Sequence, residues 1–122
     1  MPSVECRVKA IAAAVILATL VGAPGEAVAQ EKEESVRAAA KLTGITSGMA
    51  MACGLDSKPV LHAYRDFLDR RRILGPERDR LVRVVSTASD RGFASQQQPG
   101  AMSCGEVGTQ MQRAVRRIQR AK

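Results

Sequence analysis

The chain contains no tryptophan, one tyrosine and two phenylalanines, so aromatic stacking cannot carry its core and Leu, Val, Ile, Met and Ala must. It has a single histidine, His62, which leaves too few imidazoles for a zinc site. No G-x-S-x-G elbow stands ready to hold a nucleophile beside that histidine, and no spaced carboxylate loop of the EF-hand type occurs. The three cysteines include no pair two residues apart, which excludes a CxxC oxidoreductase. Alternating strand patterns and internal repeats are also missing, and no long apolar span follows the first thirty or so residues.

What is present begins with a three-part leader. Arg7 and Lys9 precede an uncharged apolar run from Ala10 to Gly22, Pro24 and Gly25 interrupt it, and Ala27-Val28-Ala29 offers small residues for a signal peptidase. The reading is a helical signal peptide over residues 1–29, cut between Ala29 and Gln30, followed by one exported domain over residues 30–122. The alternatives are an uncleaved N-terminal anchor or a buried core helix. The apolar run is short against the roughly 20 residues a membrane span needs. Cys6 precedes the run and so cannot become a lipidated N-terminus.

Export reorganises the rest of the composition. Glu5, Arg7, Lys9 and Glu26 cancel, so residues 30–122 keep the whole net charge of +7. They also keep two cysteines, Cys53 and Cys104, in a periplasmic or extracellular setting where disulfides persist. Only one intramolecular pairing is open to them. Closing that loop is worth about 4 kcal/mol by loop-entropy arithmetic, a large share of the stability of so small a domain. The rivals are free thiols or a metal-binding pair.

Four helices can be read in the exported part. The first spans about Glu33 to Cys53, with Ala38, Leu42, Ile45, Met49 and Ala52 as its apolar stripe and Glu31, Glu33 and Glu34 at its positive end. Gly44 and Gly48, four apart, would let another backbone come close, although outside a membrane that pattern is weak. After Gly54, a cap at Asp56 or Ser57 and Pro59 in the first turn open a second helix reaching about Leu74, with Val60, Tyr64, Phe67, Leu68 and Leu74 inward. Gly75-Pro76 starts a short third helix around Leu81, Val84, Val85 and Ala88, ending near Arg91-Gly92. A polar loop over 95–101 leads to a fourth, capped by Ser103 with Glu106 three residues on, whose stripe is Val107, Met111, Ala114, Val115 and Ile118. The expected fold is therefore an all-α, four-helix domain stapled by one disulfide, preceded by the helical signal peptide.

Two polar constellations carry candidate chemistry. His62 has Asp66 at i+4 and Asp69 at i+7, an arrangement that favours the imidazolium and reads as a small pH-responsive cluster, or else as an ordinary helix-face charge network with Arg65 and Arg70. Arg113, Arg116, Arg117 and Arg120 repeat by three and four opposite the apolar stripe of the last helix. Arg70, Arg71 and Arg72, followed by Arg78, Arg80 and Arg83, surround the Gly75-Pro76 turn. In an exported chain such faces point away from nucleic acid and toward an acidic envelope protein or an anionic envelope surface. Their alternative is a solvated basic face suited to a helix C-terminus.

In size and in the spacing of Cys53 and Cys104, the chain resembles the periplasmic acid-stress chaperones related to HdeA, while its strongly basic balance departs from them. That resemblance implies a second function, in which protonating Glu31, Glu33, Glu34, Asp66 and Asp69 loosens the helices and exposes apolar faces to clients. The leading expectation is a non-catalytic accessory or binding protein of the cell envelope, without cofactor, metal or a membrane span in the mature chain. The chaperone comes second and an enzyme last.

Overall fold

The structure is a computed structural model that describes residues 24–122, with side chains from Lys32 onward. Most of the expected signal peptide, residues 1–23, lies outside the described residues. The chain falls into two compact units, residues 1–34 and Ser35–Lys122, and the packing below is that of the second. Four α-helices follow one another: α1 (Pro24–Ala52), α2 (Lys58–Arg70), α3 (Gly75–Gln96) and α4 (Cys104–Arg120). None of the helices among the described residues is long and apolar enough to cross a membrane.

α1 corrects the expected first helix at both its start and its inner face. It is helical from Pro24, the first described residue, rather than from about Glu33. Among the residues it buries, Val36, Ala40, Thr43, Ser47 and Ala50 are spaced by four and three, with Gly44, Thr46 and Gly48 buried beside them. Of the expected stripe, Ala38 is exposed and Ile45 is 41% exposed, while Leu42, Met49 and Ala52 are half-buried and Leu42 packs against the core, so the stripe lies at the edge of the buried face rather than at its centre.

The reason is a crossing at backbone contact. A Cβ built on Gly44 would sit 2.5 Å from the Ala88 Cβ and on top of the Val85 carbonyl; one on Gly48 would sit 2.8 Å from the Phe93 nitrogen and on the Ser89 carbonyl. From the other side, a Cβ on Gly92 would strike the Ile45 carbonyl. Only small residues fit there, and larger ones are displaced to the flanks. Two of the buried hydroxyls at this face are satisfied locally: Thr43 donates to the Ala39 carbonyl (2.7 Å) and Ser47 to that of Gly44 (3.0 Å), with Ser89 Oγ 3.4 Å away across the crossing.

The same contact corrects α3. Gly92 reads in sequence as a stop, yet α3 continues to Gln96, because this glycine provides room for α1 instead of a cap. The aliphatic core lies chiefly between α2 and α4, where Val60, Phe67 and Ile118 are almost fully buried and join Val36, Ala40, Leu81 and Ala114 in one cluster. Tyr64 stacks on Phe67 with ring centroids 5.8 Å apart, and its hydroxyl points to the Val36 carbonyl at 3.4 Å. Burial pushes the Tyr64 phenol up to about 12, against a smaller downward pull from Arg78.

Helix ends are set by local chemistry. α1 finishes in a Schellman arrangement, with Gly54 left-handed (φ 70°) and the Leu55 N–H reaching the Ala50 carbonyl at 2.8 Å. Ser103 caps α4 as expected, its side chain accepting the Glu106 N–H at 3.2 Å. Cys53, just past the end of α1, is joined to Cys104, the first residue of α4, with their Cα atoms 5.5 Å apart.

Two alanine substitutions separate the crossing from generic glycine effects. In a free helix position Gly→Ala gains about 1 kcal/mol, and Gly108, whose nearest neighbour to a new Cβ is Leu55 Cδ1 at 3.8 Å, should show most of that gain. Gly48→Ala should instead lose about 1–3 kcal/mol net, since its Cβ meets backbone that cannot rotate away. Urea denaturation of both variants with the disulfide intact checks the contrast, and equal behaviour would contradict the crossing.

Candidate functional site

α4 is the most strongly segregated helix of the fold. Val107, Ala114 and Ile118 are buried with Met111 and Val115 half-buried, and this fixes the opposite side as solvent-facing. Arg113, Arg116, Arg117 and Arg120 all emerge there, exposed, and together with Ala121 line a shallow depression of about 560 Å³. No carboxylate lines it. The four guanidiniums can therefore present an uninterrupted set of planar donors, a shape that matches carboxylate and phosphate groups. Arg117 and Arg120 also lie in the last turn, where cations suit the negative end of the helix dipole.

The second basic cluster is put to different uses. Arg70 Nη2 donates to the Ile118 carbonyl at 3.2 Å, so it ties the end of α2 to the last turn of α4. Arg71 lies over the Phe67 ring, its guanidinium carbon 4.7 Å from the centroid, and its Nε is buried without a partner. Arg72 is exposed but holds a left-handed backbone (φ 54°). Around it the Arg72 N–H reaches the Asp69 carbonyl (3.1 Å) and the Ile73 N–H reaches that of Leu68 (3.0 Å), the hydrogen-bond pair of a Schellman stop with arginine where glycine is usual. This corrects the expected end of α2: the helix stops at Arg70, Ile73 is buried at 7% exposure, and Leu74 stands 67% exposed as the cap residue of α3.

The residues around His62 are arranged as follows. Asp69 Oδ1 accepts from Arg78 Nη1 at 2.6 Å, and the same Arg78 nitrogen also donates to the Ile73 carbonyl at 3.4 Å, bracing the turn between α2 and α3. Asp66 lies 3.9 Å from Arg65. His62 is exposed on α2, and no ion pair joins it to either carboxylate among the described residues.

One polar residue with a defined job was hidden in the loop composition. Gln96 Nε2 donates to the Met102 carbonyl at 2.9 Å and lies 3.5 Å from Cys53 Sγ, so it braces the α3–α4 connection against the disulfide. Its signal in sequence is only its place in a glutamine-rich stretch. Among the described residues, no group of three or more His, Cys, Asp or Glu is placed to hold a metal ion.

The strained stop at Arg72 yields a directional expectation. A left-handed residue with a Cβ costs about 1–2 kcal/mol, part of which glycine returns as chain entropy in the unfolded state. Arg72→Gly should therefore raise stability by about 0.5–1 kcal/mol in urea denaturation; a loss would mean the Arg72 side chain makes a stabilising contact of its own. Comparison with family models, with curated proteins and with solved structures found no match for this chain.

Proposed function

We propose that the chain is a non-catalytic binding or accessory protein of the cell envelope, exported through its N-terminal leader, that contacts an anionic partner through the arginine face of α4. The partner is an acidic envelope protein or an anionic envelope surface. The observation that carries the reading is the exposed set Arg113, Arg116, Arg117 and Arg120, lining one depression with no carboxylate among them. By contrast, Arg70 and Arg71 are engaged within the fold, which removes them from the set best suited to a partner. A disulfide and the absence of a membrane-crossing helix among the described residues are compatible with such a setting.

If the α4 face binds electrostatically, capture of the partner from envelope extract by the disulfide-bonded protein should weaken as salt shortens the Debye length from about 10 Å at 0.1 M. The charge-neutral double variant Arg116→Gln/Arg117→Gln should weaken it by about tenfold, as expected for loss of two charge-assisted contacts. Binding indifferent to both salt and the double variant sinks the reading.

A second reading, the acid-responsive chaperone, draws support from one observation. Ile45, Met51 and Phe93 stand 41%, 50% and 41% exposed, leaving apolar surface on the flanks of the α1–α3 crossing from which clients could be gripped. Under this reading, an environment-sensitive apolar dye should gain fluorescence as the protein is taken from neutral pH to about pH 2. A flat trace rules it out.

A further inference from the structure

The crossing of α1 and α3 does more than set the core, because it brings together cations that are far apart in sequence. Along α1, Arg37 and Lys41 stand one turn apart on the approach to Gly44; along α3, Arg83, Thr87 and Arg91 succeed each other at intervals of one turn. These five residues, with Val84 and Ala88, line a groove of about 380 Å³ between the two helices. The four cationic residues are exposed, and none of them forms an ion pair among the described residues. Asp79 and Asp90, the acidic residues of α3 nearest to them in sequence, are not part of the lining.

We infer that this α1–α3 groove is a binding site for a phosphate group, distinct from the α4 face, with Arg37, Lys41, Arg83 and Arg91 supplying the charge and Thr87 a hydroxyl donor.

Three features support it. First, the helices meet at backbone contact through Gly44, Gly48 and Gly92, which holds the two backbones that carry the four cations at close quarters. Second, Thr87 is placed between Arg83 and Arg91 with its hydroxyl unused: Thr43 and Thr109 each donate to the carbonyl four residues back, at 2.7 and 3.3 Å, whereas Thr87 makes no such bond among the described residues. Third, the groove has an apolar floor in Val84 and Ala88. Walls of low polarisability below one sign of charge concentrate the field on whatever occupies the groove. Two arginines fit the bidentate geometry of a phosphate, and the lysine adds a point charge. The α4 face, by comparison, lies on a single helix and has no apolar floor beyond Ala121.

A phosphate group could reach this groove free in solution or on a lipid headgroup, and the test separates the two. The disulfide-bonded protein is titrated calorimetrically with inorganic phosphate and with pyrophosphate, and in parallel sedimented with phosphatidylcholine vesicles with and without phosphatidylglycerol. Lys41→Gln/Arg83→Gln should weaken binding by about tenfold or more, Thr87→Val should weaken it less, and Lys58→Gln, an exposed cation at the start of α2 outside both basic faces, should leave it within about twofold. Circular dichroism and urea denaturation of each variant confirm that it is folded, and amide shifts at Thr87 and Arg91 on titration locate the ligand in the wild-type chain. Saturable binding of phosphate or pyrophosphate that depends on Lys41 and Arg83 supports a soluble ligand, and the same dependence seen only with phosphatidylglycerol vesicles supports a headgroup. Binding in neither arm, or binding insensitive to Lys41→Gln/Arg83→Gln, overturns the site. Loss on Arg116→Gln/Arg117→Gln alone overturns it too, while leaving the α4 reading intact.

Discussion

The contact on which most of the described unit depends is the approach of α1 to α3 through three glycines. Where two helix backbones touch, there is no room for aliphatic side chains between them, so α1 buries alanine, threonine and serine and displaces Ile45 to its flank. Buried hydroxyls would be costly without partners, and Thr43 and Ser47 find them in the preceding turn of their own helix. With this layer closed to large residues, the bulk of the apolar volume gathers instead around Phe67, Val60 and Ile118, where α2 meets α4. The disulfide then closes the remaining side by holding the end of α1 to the start of α4.

A chain carrying +7 in so small a fold has to manage repulsion, and the arginines show how. Arg70 reaches a carbonyl at the end of α4, Arg71 lies on an aromatic face, and Arg78 joins a carboxylate and a carbonyl at a turn. Each places a cation against negative charge density within the fold. The α4 arginines and the α1–α3 groove do the opposite, keeping cations together without carboxylates in their lining. Such arrangements give up some stability, and a staple worth about 4 kcal/mol makes that tolerable.

Much of this was legible in the order of residues. Ser103 and Glu106 announced the start of α4, the period of Val107, Ala114 and Ile118 announced its inner face, and that face in turn dictated where Arg113 to Arg120 would point. These features are local, governed by hydrogen bonds and periodicity within a few turns. Three features were not legible for a common reason. Gly92 as a contact rather than a stop, the small-residue inner face of α1 and the end of α2 at Arg70, before the left-handed Arg72, each depend on a partner or a strain that no window of sequence contains. A left-handed arginine is invisible to a rule that looks for glycine.

By itself, then, the sequence determined the helical class and the amphipathic division of α4, because composition and short-range spacing are enough to decide both, whereas Cys53 with Cys104 was one of several readings until the fold brought the two together. Tertiary structure alone decided which face of α1 is inside and which cations share a groove. Those outcomes follow from how closely two helices distant in sequence can approach, and that distance is set by the absence of a Cβ at Gly44, Gly48 and Gly92 simultaneously.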